Sequence, residues 1–266
     1  MKRKFVLLGL ILGWLTLAQA REYWLQPDKF MYQPGDNLLL GLSAGENFIG
    51  NPWNIGKQAI TRLEHYQMGK SSNLIPLIKD GDRNQLTIPL REEGTHLILM
   101  ESNNAFIERE SERFNEFLKD EGLDEVYDQR QKTNTLNNPG KEFYSCHTKL
   151  LVQVGGRKDE TYKKSDGFPV EIIPEQNPYT LKKGDPLRFK IMQQGKPLFG
   201  VRVKVWNRFN NRTTLQNIYT EKNGVIETRI SNPGPWMVTV VKMVPAKQQG
   251  AAWQSYRMSL VFGIEY

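Results

Sequence analysis

The stretch GVRVKVWN, residues 200–207, decides the fold class because apolar and charged side chains alternate along it. Its three valines fall on one side of a strand, and Arg202 and Lys204 fall on the other. DPLRFKIM, residues 185–192, repeats this pattern with Leu, Phe and Ile between charged residues. Such alternation is typical of an antiparallel sheet with one buried and one solvated face. The two stretches therefore predict a β-sandwich.

Shorter runs of the same kind extend this prediction to the rest of the chain. DNLLLGL, NQLTIPL and GTHLILME are short apolar runs separated by Gly, Pro, Asn and Asp. Asn223-Gly224 predicts a two-residue hairpin, because both residues tolerate a positive φ. We expect a mainly β protein with two β-sandwich domains. The predicted order is a signal peptide over 1–20, an N-terminal β-sandwich with a helical insertion over 21–155, a charged linker over 156–168 and a C-terminal β-sandwich over 169–266.

The helical insertion is predicted at about residues 111–130. Apolar side chains recur there at helical spacing, with charged residues between them. Gly122 interrupts the stretch and predicts two short helices, since Gly commonly follows the end of a helix. The charge-rich face of these helices is expected to lie in solvent. The apolar positions are Phe114, Phe117, Leu118, Leu123, Val126 and Tyr127.

The N-terminus carries the pattern of a secretory signal peptide. Residues 2–4 are cationic, residues 5–17 are almost unbroken apolar, and Ala18-Gln19-Ala20 is a suitable cleavage site. We expect a mature chain that begins at Arg21, has no transmembrane span and resides in the periplasm. Three of the seven net positive charges lie in residues 2–4, which leaves +4 on the mature chain. The remaining basic residues are scattered, so no nucleic-acid partner is expected.

The chain has one cysteine and three histidines as candidate metal ligands or reactive groups. Cys146 cannot form an internal disulfide and is expected to be a small buried residue. His65, His96 and His147 are weak candidates for metal binding, since none lies in a local zinc motif. Ser43 lies in a G-x-S-x-G sequence, but no helix follows it as a hydrolase elbow requires. We therefore predict a protein that is not an enzyme.

Three residues near the start of the mature chain are weak candidates for ligand binding. Trp24 and Trp53 could stack on a sugar, although tryptophan in β-proteins more often packs in a core. A cationic Arg21 beside Trp24 could hold an anionic group.

Several segments together resemble the bacterial family called domain of unknown function 4198. These are AREYWLQPDKFMYQPGD (20–36), RFNEFLKDEGLDEVYDQR (113–130), KEFYSCHTKLLVQVG (141–155) and GFPVEIIPEQNPYTLKKGDPL (167–187). That family is often described as a periplasmic component of nickel or cobalt transport. The second half, through GKPLFG at 195–200, also resembles transthyretin-like and carboxypeptidase-regulatory-like sandwiches.

The resemblance implies a metal site that two positions of this chain alter. Many members begin, after signal removal, with a histidine in an H-x-x-W-L pattern, whose amine and imidazole could chelate a metal together. Here Arg21 stands at that position, and a guanidinium offers only donors. Cys146 stands where an arginine is expected between Tyr144 and Lys149.

The sequence therefore predicts an exported, non-enzymatic binding or accessory protein of the periplasm. Its partner would be a small ligand, an envelope protein or a transporter component. One alternative is a nickel, cobalt or copper binding protein associated with metal uptake. Another is a carbohydrate-binding or carbohydrate-active protein.

Overall fold

The computed structural model describes residues 22–79 and 85–265, and the predictions for residues 1–20 and Arg21 lie outside these ranges. The predicted mainly β fold is confirmed. Eighteen strands and two α-helices are present in the described ranges. In chain order they are β1 (Glu22–Pro27), β2 (Met31–Tyr32), β3 (Asn37–Glu46), β4 (Ile49–Pro52), β5 (Ile60–Gln67), β6 (Lys70–Asn73), β7 (Gln85–Pro89), β8 (Gly94–Ser102), β9 (Ala105–Arg109), α1 (Ser111–Asp120), α2 (Asp124–Lys132), β10 (Gly140–Val154), β11 (Val170–Pro174), β12 (Pro186–Gln193), β13 (Lys196–Pro197), β14 (Arg202–Phe209), β15 (Arg212–Tyr219), β16 (Val225–Arg229), β17 (Gly234–Pro245) and β18 (Trp253–Ile264).

The strands form three sheets, which we call front, central and back. The front sheet contains β1, β3, β4 and β7, and the back sheet contains β11, β12, β13 and β16. The central sheet has ten strands, eight of them in the order β15-β14-β17-β18-β10-β8-β5-β6, with β2 and β9 also paired to β10. The front and back sheets pack on opposite faces of the central sheet, and each contact contains one apolar core.

The two predicted domain segments share the central sheet. β5, β8 and β10 come from 21–155, whereas β14, β15, β17 and β18 come from 169–266. The join is the parallel pairing of β10 with β18, from Glu142 opposite Trp253 to Leu150 opposite Val261. Two sandwiches are therefore present, and each uses one face of the same sheet. The transthyretin-like character of the second segment stays a prediction.

The alternation in β14 is real, but its charged side is not solvated. Val203 and Val205 lie in the core under the back sheet, as expected. Lys204 is nevertheless buried on the opposite face. The expectation of a wet face was wrong there because the front sheet and the helical insertion cover that face.

The helical insertion is confirmed as two short helices separated at Gly122, which has a φ of +67°. A third, smaller cluster joins Phe114, Phe117 and neighbouring helical residues to Met243 and Trp253 of the central sheet. These helices therefore cover the part of the front face that the front sheet leaves open. Among residues 22–79 and 85–265, neither helix has the length and apolar run needed to span a bilayer.

The two-residue hairpin predicted at Asn223-Gly224 is not formed, and a different pair of residues forms one instead. Gly224 does occupy a tight turn, with a φ of +77°, but β15 before it joins the central sheet and β16 after it joins the back sheet. The Asn223-Gly224 hairpin was therefore wrong, since a turn preference does not determine strand pairing. The two-residue hairpin lies instead at Asn210-Asn211, both with positive φ, between β14 and β15.

The predicted linker, residues 156–168, packs against the central sheet. It contains a short 3-10 helix at Thr161–Lys163, and Tyr162 and Phe168 are buried. Asp166 forms an ion pair with Lys149 of β10. The high charge of residues 156–168 therefore reflects buried ion pairing as well as solvent exposure.

Candidate functional site

The structure places the tryptophans that the sequence proposed for ligand binding in different environments. Trp24 is only 2% exposed, donates a hydrogen bond from Nε1 to Gln26 and packs edge-on against Phe48. Trp53 is partly exposed, and its ring lies 4.6 Å from that of Tyr23. Trp24 is therefore part of the core, whereas Trp53 adjoins the site described below.

His65 and His96 form a hydrogen-bonded pair between β5 and β8. His65 Nε2 lies 2.7 Å from His96 Nδ1, and His96 Nε2 lies 2.9 Å from the Glu92 carbonyl oxygen. Because that carbonyl only accepts, His96 donates from Nε2 and accepts from His65 at Nδ1. Burial lowers the pKa of both rings, that of His65 to about 4. His65 Nδ1 is then the one ring nitrogen of the pair left for another partner.

His147 is remote from the His65–His96 pair. It lies on β10 and faces the back sheet. Its Nε2 lies 2.9 Å from Ser145 Oγ, and its Nδ1 lies 3.8 Å from Glu101 Oε1. Burial lowers the pKa of His147 to about 4 and raises that of Cys146, on the other face, to about 12. In the described ranges, no three His, Cys, Asp or Glu side chains are arranged to hold a metal ion. Of the three histidines that the sequence proposed, the structure therefore brings together His65 and His96 but not His147.

The most unusual feature of the molecule is a row of polar residues under the front sheet. Strand register places Lys204, Thr239, Ser259 and Thr148 side by side across β14, β17, β18 and β10. All four are buried. The adjacent row on the same face is apolar, with Trp206, Met237, Val261 and Leu150. We call the first four residues the polar row.

Two hydroxyls of the polar row have no hydrogen-bond partner within the described part of the chain. They belong to Thr148 and Ser259, which are direct neighbours in the parallel β10–β18 pairing. Neighbouring strands are about 4.8 Å apart, so one small molecule could reach both hydroxyls. Buried polar groups are normally paired with protein, ordered water or a bound molecule. This pair is therefore available to ordered water or to a polar ligand.

Carboxylates surround the lysine end of the polar row. Lys204 Nζ lies 2.7 Å from Glu121 Oε1 and 3.8 Å from Glu22 Oε1. The Glu22 side chain is only 9% exposed, and its Oε2 lacks a hydrogen-bond partner among the described residues. Burial raises the pKa of Glu22 to about 7, although the Lys204 charge opposes the shift. This carboxyl therefore changes charge near neutral pH.

A second buried charge cluster adjoins the polar row and consists of Glu142, Arg109, Arg257 and Ser255. Glu142 accepts hydrogen bonds from Arg109, from Arg257 Nη2 at 2.8 Å and from Ser255 Oγ at 2.7 Å. Two guanidinium groups thus face one carboxylate, which leaves a net positive charge. We call these four residues the guanidinium cluster.

Aromatic rings enclose the guanidinium cluster. The Arg257 guanidinium lies 4.3 Å from the Tyr144 ring centre and 6.0 Å from that of Tyr23, and Arg109 lies 4.5 Å from that of Phe117. Such contacts stabilise buried cations. Tyr23, Tyr144 and Trp53 are each partly exposed, so they form the boundary between these groups and solvent.

Sequence reasoning missed the polar row, although a signal for it was present. Thr148 shares its strand face with Leu150 and Val152, and Ser259 shares its face with Val261. A hydroxyl at a core-facing position is the pattern that indicates such a site. The residues are more than one hundred positions apart, so only the β10–β18 register brings them together.

Comparison with protein families gives one extensive match. A family model described as domain of unknown function (DUF4198) matches residues 18–243. No curated protein matches the chain.

Among solved structures, similar chains include two bacterial macroglobulins. A Salmonella alpha-2-macroglobulin mutant, Y1175G, is 9% identical with a TM-score of 0.25, and the alignment covers 92% of this chain and 15% of that one. An Escherichia coli alpha-2-macroglobulin activated by porcine elastase is 10% identical with a TM-score of 0.21, covering 93% and 31%. The chain thus spans less than a third of the length of either, and scores this low carry no argument.

Proposed function

Because this chain belongs to the DUF4198 family, whose model matches most of its length, we propose that it is an exported, non-enzymatic binding protein. Its ligand would be a small polar molecule held at the polar row. The observation that carries this proposal is the pair of buried, unpartnered hydroxyls of Thr148 and Ser259.

The surrounding groups define the chemistry of the ligand. The two hydroxyls can each donate and accept, whereas the cation at the far end of the row, Lys204, is already paired with Glu121. The partly exposed rings of Tyr23 and Tyr144 can pack on a flat or apolar surface of the same molecule. A hydroxyl-rich ligand, such as a sugar or a polyol, fits this combination.

A thermal-shift screen of purified residues 21–266 tests the proposal. The panel contains hexoses, hexuronic acids, polyols and short dicarboxylates. We expect a hit whose Kd rises at least about ten-fold, or about 1.4 kcal/mol, in a Thr148→Val, Ser259→Ala double variant. The matched control is Thr87→Val, an exposed threonine of the front sheet. An empty panel, or equal binding by both variants, would contradict a ligand site at the polar row.

Export is proposed from the signal-like segment alone. N-terminal sequencing of protein recovered from a periplasmic extract should give Arg21 as the first residue. Recovery of the uncleaved chain from the membrane fraction would contradict this part of the proposal.

Metal binding is the alternative that the family description suggests. Calorimetric titration of the same preparation with Ni²⁺, Co²⁺ and Cu²⁺ distinguishes the two functions. Binding heat that is unchanged by Thr148→Val and Ser259→Ala, but lost on His65 substitution, would favour a metal carrier.

A further inference from the structure

The two outer strands of the central sheet differ in length and chemistry. β6 ends one side and contains four residues, KSSN, all exposed and polar. β15 ends the other side and contains eight residues, RTTLQNIY, with no proline or lysine. Short, polar, lysine-containing edge strands prevent pairing with other chains. β6 has all of these features, whereas β15 is twice as long, has no lysine and exposes Leu215 and Tyr219.

The register of β15 shows which of its backbone groups are unpaired. Phe209 opposite Arg212 closes the two-residue hairpin, and antiparallel pairs alternate between hydrogen-bonded and non-hydrogen-bonded from there. The backbone groups of Thr213, Leu215, Asn217 and Tyr219 therefore point away from β14. Within the described chain, β14 is the one strand that pairs with β15. An extended segment could hydrogen-bond to these outward groups.

The side chains of this hairpin indicate the kind of segment that fits. Phe209, Leu215 and Tyr219 are 38%, 41% and 47% exposed, which is high for large apolar or aromatic residues. Residues 202–219 contain four cations and no acidic residue. Lys204 is engaged by Glu121, but the side chains of Arg208 and Arg212 have no ion pair in the described structure.

We propose that β15 is a docking edge for an extended, acidic segment of a partner protein, which adds to the central sheet as a further strand. Main-chain hydrogen bonds would supply affinity, and alternating side chains would supply specificity. A second copy of this chain would bring two cationic hairpins together, so the charge favours a different, acidic strand. This site is separate from the polar row.

A defined peptide pair tests the proposal by fluorescence anisotropy. The probe is a fluorescein-labelled, amidated seven-residue peptide of alternating Glu and Val, and its identically labelled counterpart alternates Lys and Val. We expect the acidic peptide to bind more tightly, and more weakly as salt rises. Leu215→Pro removes an outward amide without touching the ladder to β14, and should weaken binding at least ten-fold.

Two controls separate docking from misfolding. Leu215→Thr keeps the amide and should bind nearly as well as the natural chain. Arg208→Glu with Arg212→Glu should abolish the preference for the acidic peptide, while Lys70→Glu on β6 should not. Equal binding of both peptides, no binding, or unchanged binding by Leu215→Pro would overturn the proposal. A dimer in sedimentation that Leu215→Pro dissociates would also overturn it, in favour of a second copy.

Discussion

Two adjacent residues of β10, Lys149 and Thr148, carry buried polar groups in opposite states. On the back face, Lys149 forms an ion pair with Asp166, and its Nζ lies 3.9 Å from Glu171 Oε2. On the front face, the adjacent Thr148 is equally buried, yet its hydroxyl has no partner in the described chain. Neighbours in one strand thus differ completely in how their polar atoms are satisfied.

The difference separates a structural role from a binding role. A buried charge without a counter-charge costs several kcal/mol, so Lys149 requires its carboxylates for the fold to form. A buried hydroxyl without a partner costs about 1–3 kcal/mol, which a fold can tolerate at a site that a ligand completes. Lys149 therefore fastens residues 156–168 to the sheet, and Thr148 on the other face retains unused hydrogen-bonding capacity.

The largest effect should follow from Lys149→Met. The substitution leaves Asp166 and Glu171 buried without their cation, and we expect a loss of about 3–5 kcal/mol in the free energy of unfolding. Urea denaturation measured by circular dichroism gives this value.

A matched lysine tests whether burial of the partner is the cause. Lys242→Met removes the partner of Glu125, whose side chain is 86% exposed, and should cost no more than about 1 kcal/mol. If Lys149→Met lowered the free energy of unfolding no more than Lys242→Met, the buried pair of Lys149 and Asp166 would not be needed for the fold. The proposed contrast between Lys149 and Thr148 would then be wrong.

The next effect concerns Glu22 and its dependence on pH. The folded pKa of about 7 exceeds the ordinary value of 4.5, so the folded state binds the proton more tightly. Its contribution to stability is therefore present at acidic pH and is lost as pH rises through 7. We expect the free energy of unfolding to fall by about 3 kcal/mol from pH 4.5 to 8 through this group.

Glu22→Gln should remove that fall and make the protein more stable than the natural chain at pH 8. Glu125→Gln serves as the control, because it removes a carboxylate whose side chain is 86% exposed. Parallel profiles for the natural chain and Glu22→Gln would show that Glu22 is not held protonated at the lysine end of the polar row.

His147, on the back face, should change the free energy of unfolding with pH in the opposite direction to Glu22. Its folded pKa of about 4 lies below the ordinary 6.5, so the unfolded state binds the proton more tightly. Stability from this group is present above pH 6.5 and is lost as pH falls toward 4, by about 2 kcal/mol between pH 7 and 4.5.

Thermal unfolding of His147→Gln over that range isolates this contribution. The variant cannot be protonated and should lose less stability on acidification than the natural chain. His65→Gln should behave similarly, since burial lowers the pKa of His65 and that of His147 to about 4. If His147→Gln lost as much stability between pH 7 and 4.5 as the natural chain, the group that takes up the proton would be a different residue.

The sequence predicted elements that depend on local spacing and missed features that depend on long-range register. Strand alternation and the Gly122 break are local, and both are confirmed. Lys204 was expected in solvent because its cover, including Glu121, comes from more than eighty residues earlier. The shared central sheet was missed for the same reason, since the parallel β10–β18 pair joins segments over one hundred residues apart.

The candidate site was predicted less well than the fold. Trp53 adjoins the candidate site, Trp24 proved to be core, and the role of Arg21 stays a prediction because it lies outside the described residues. The three histidines were weak candidates for metal binding, and the structure shows that His65 and His96 hydrogen-bond to each other. Hydrogen-bond partners across strands cannot be inferred from one sequence without the register.

The smallest effect gives the sharpest test of the front face. Ser259→Ala removes a buried hydroxyl that has no partner in the described chain, so the free energy of unfolding should change by less than about 1 kcal/mol. Ser102→Ala is the matched control, because Ser102 Oγ accepts from the Cys146 amide and donates to the Asn103 carbonyl, both at 2.9 Å. Removing it leaves a buried amide unpaired and should cost about 1–3 kcal/mol. If the two alanine variants were equally destabilised, the Ser259 hydroxyl would be bonded within the protein itself and would not be free to contact a ligand.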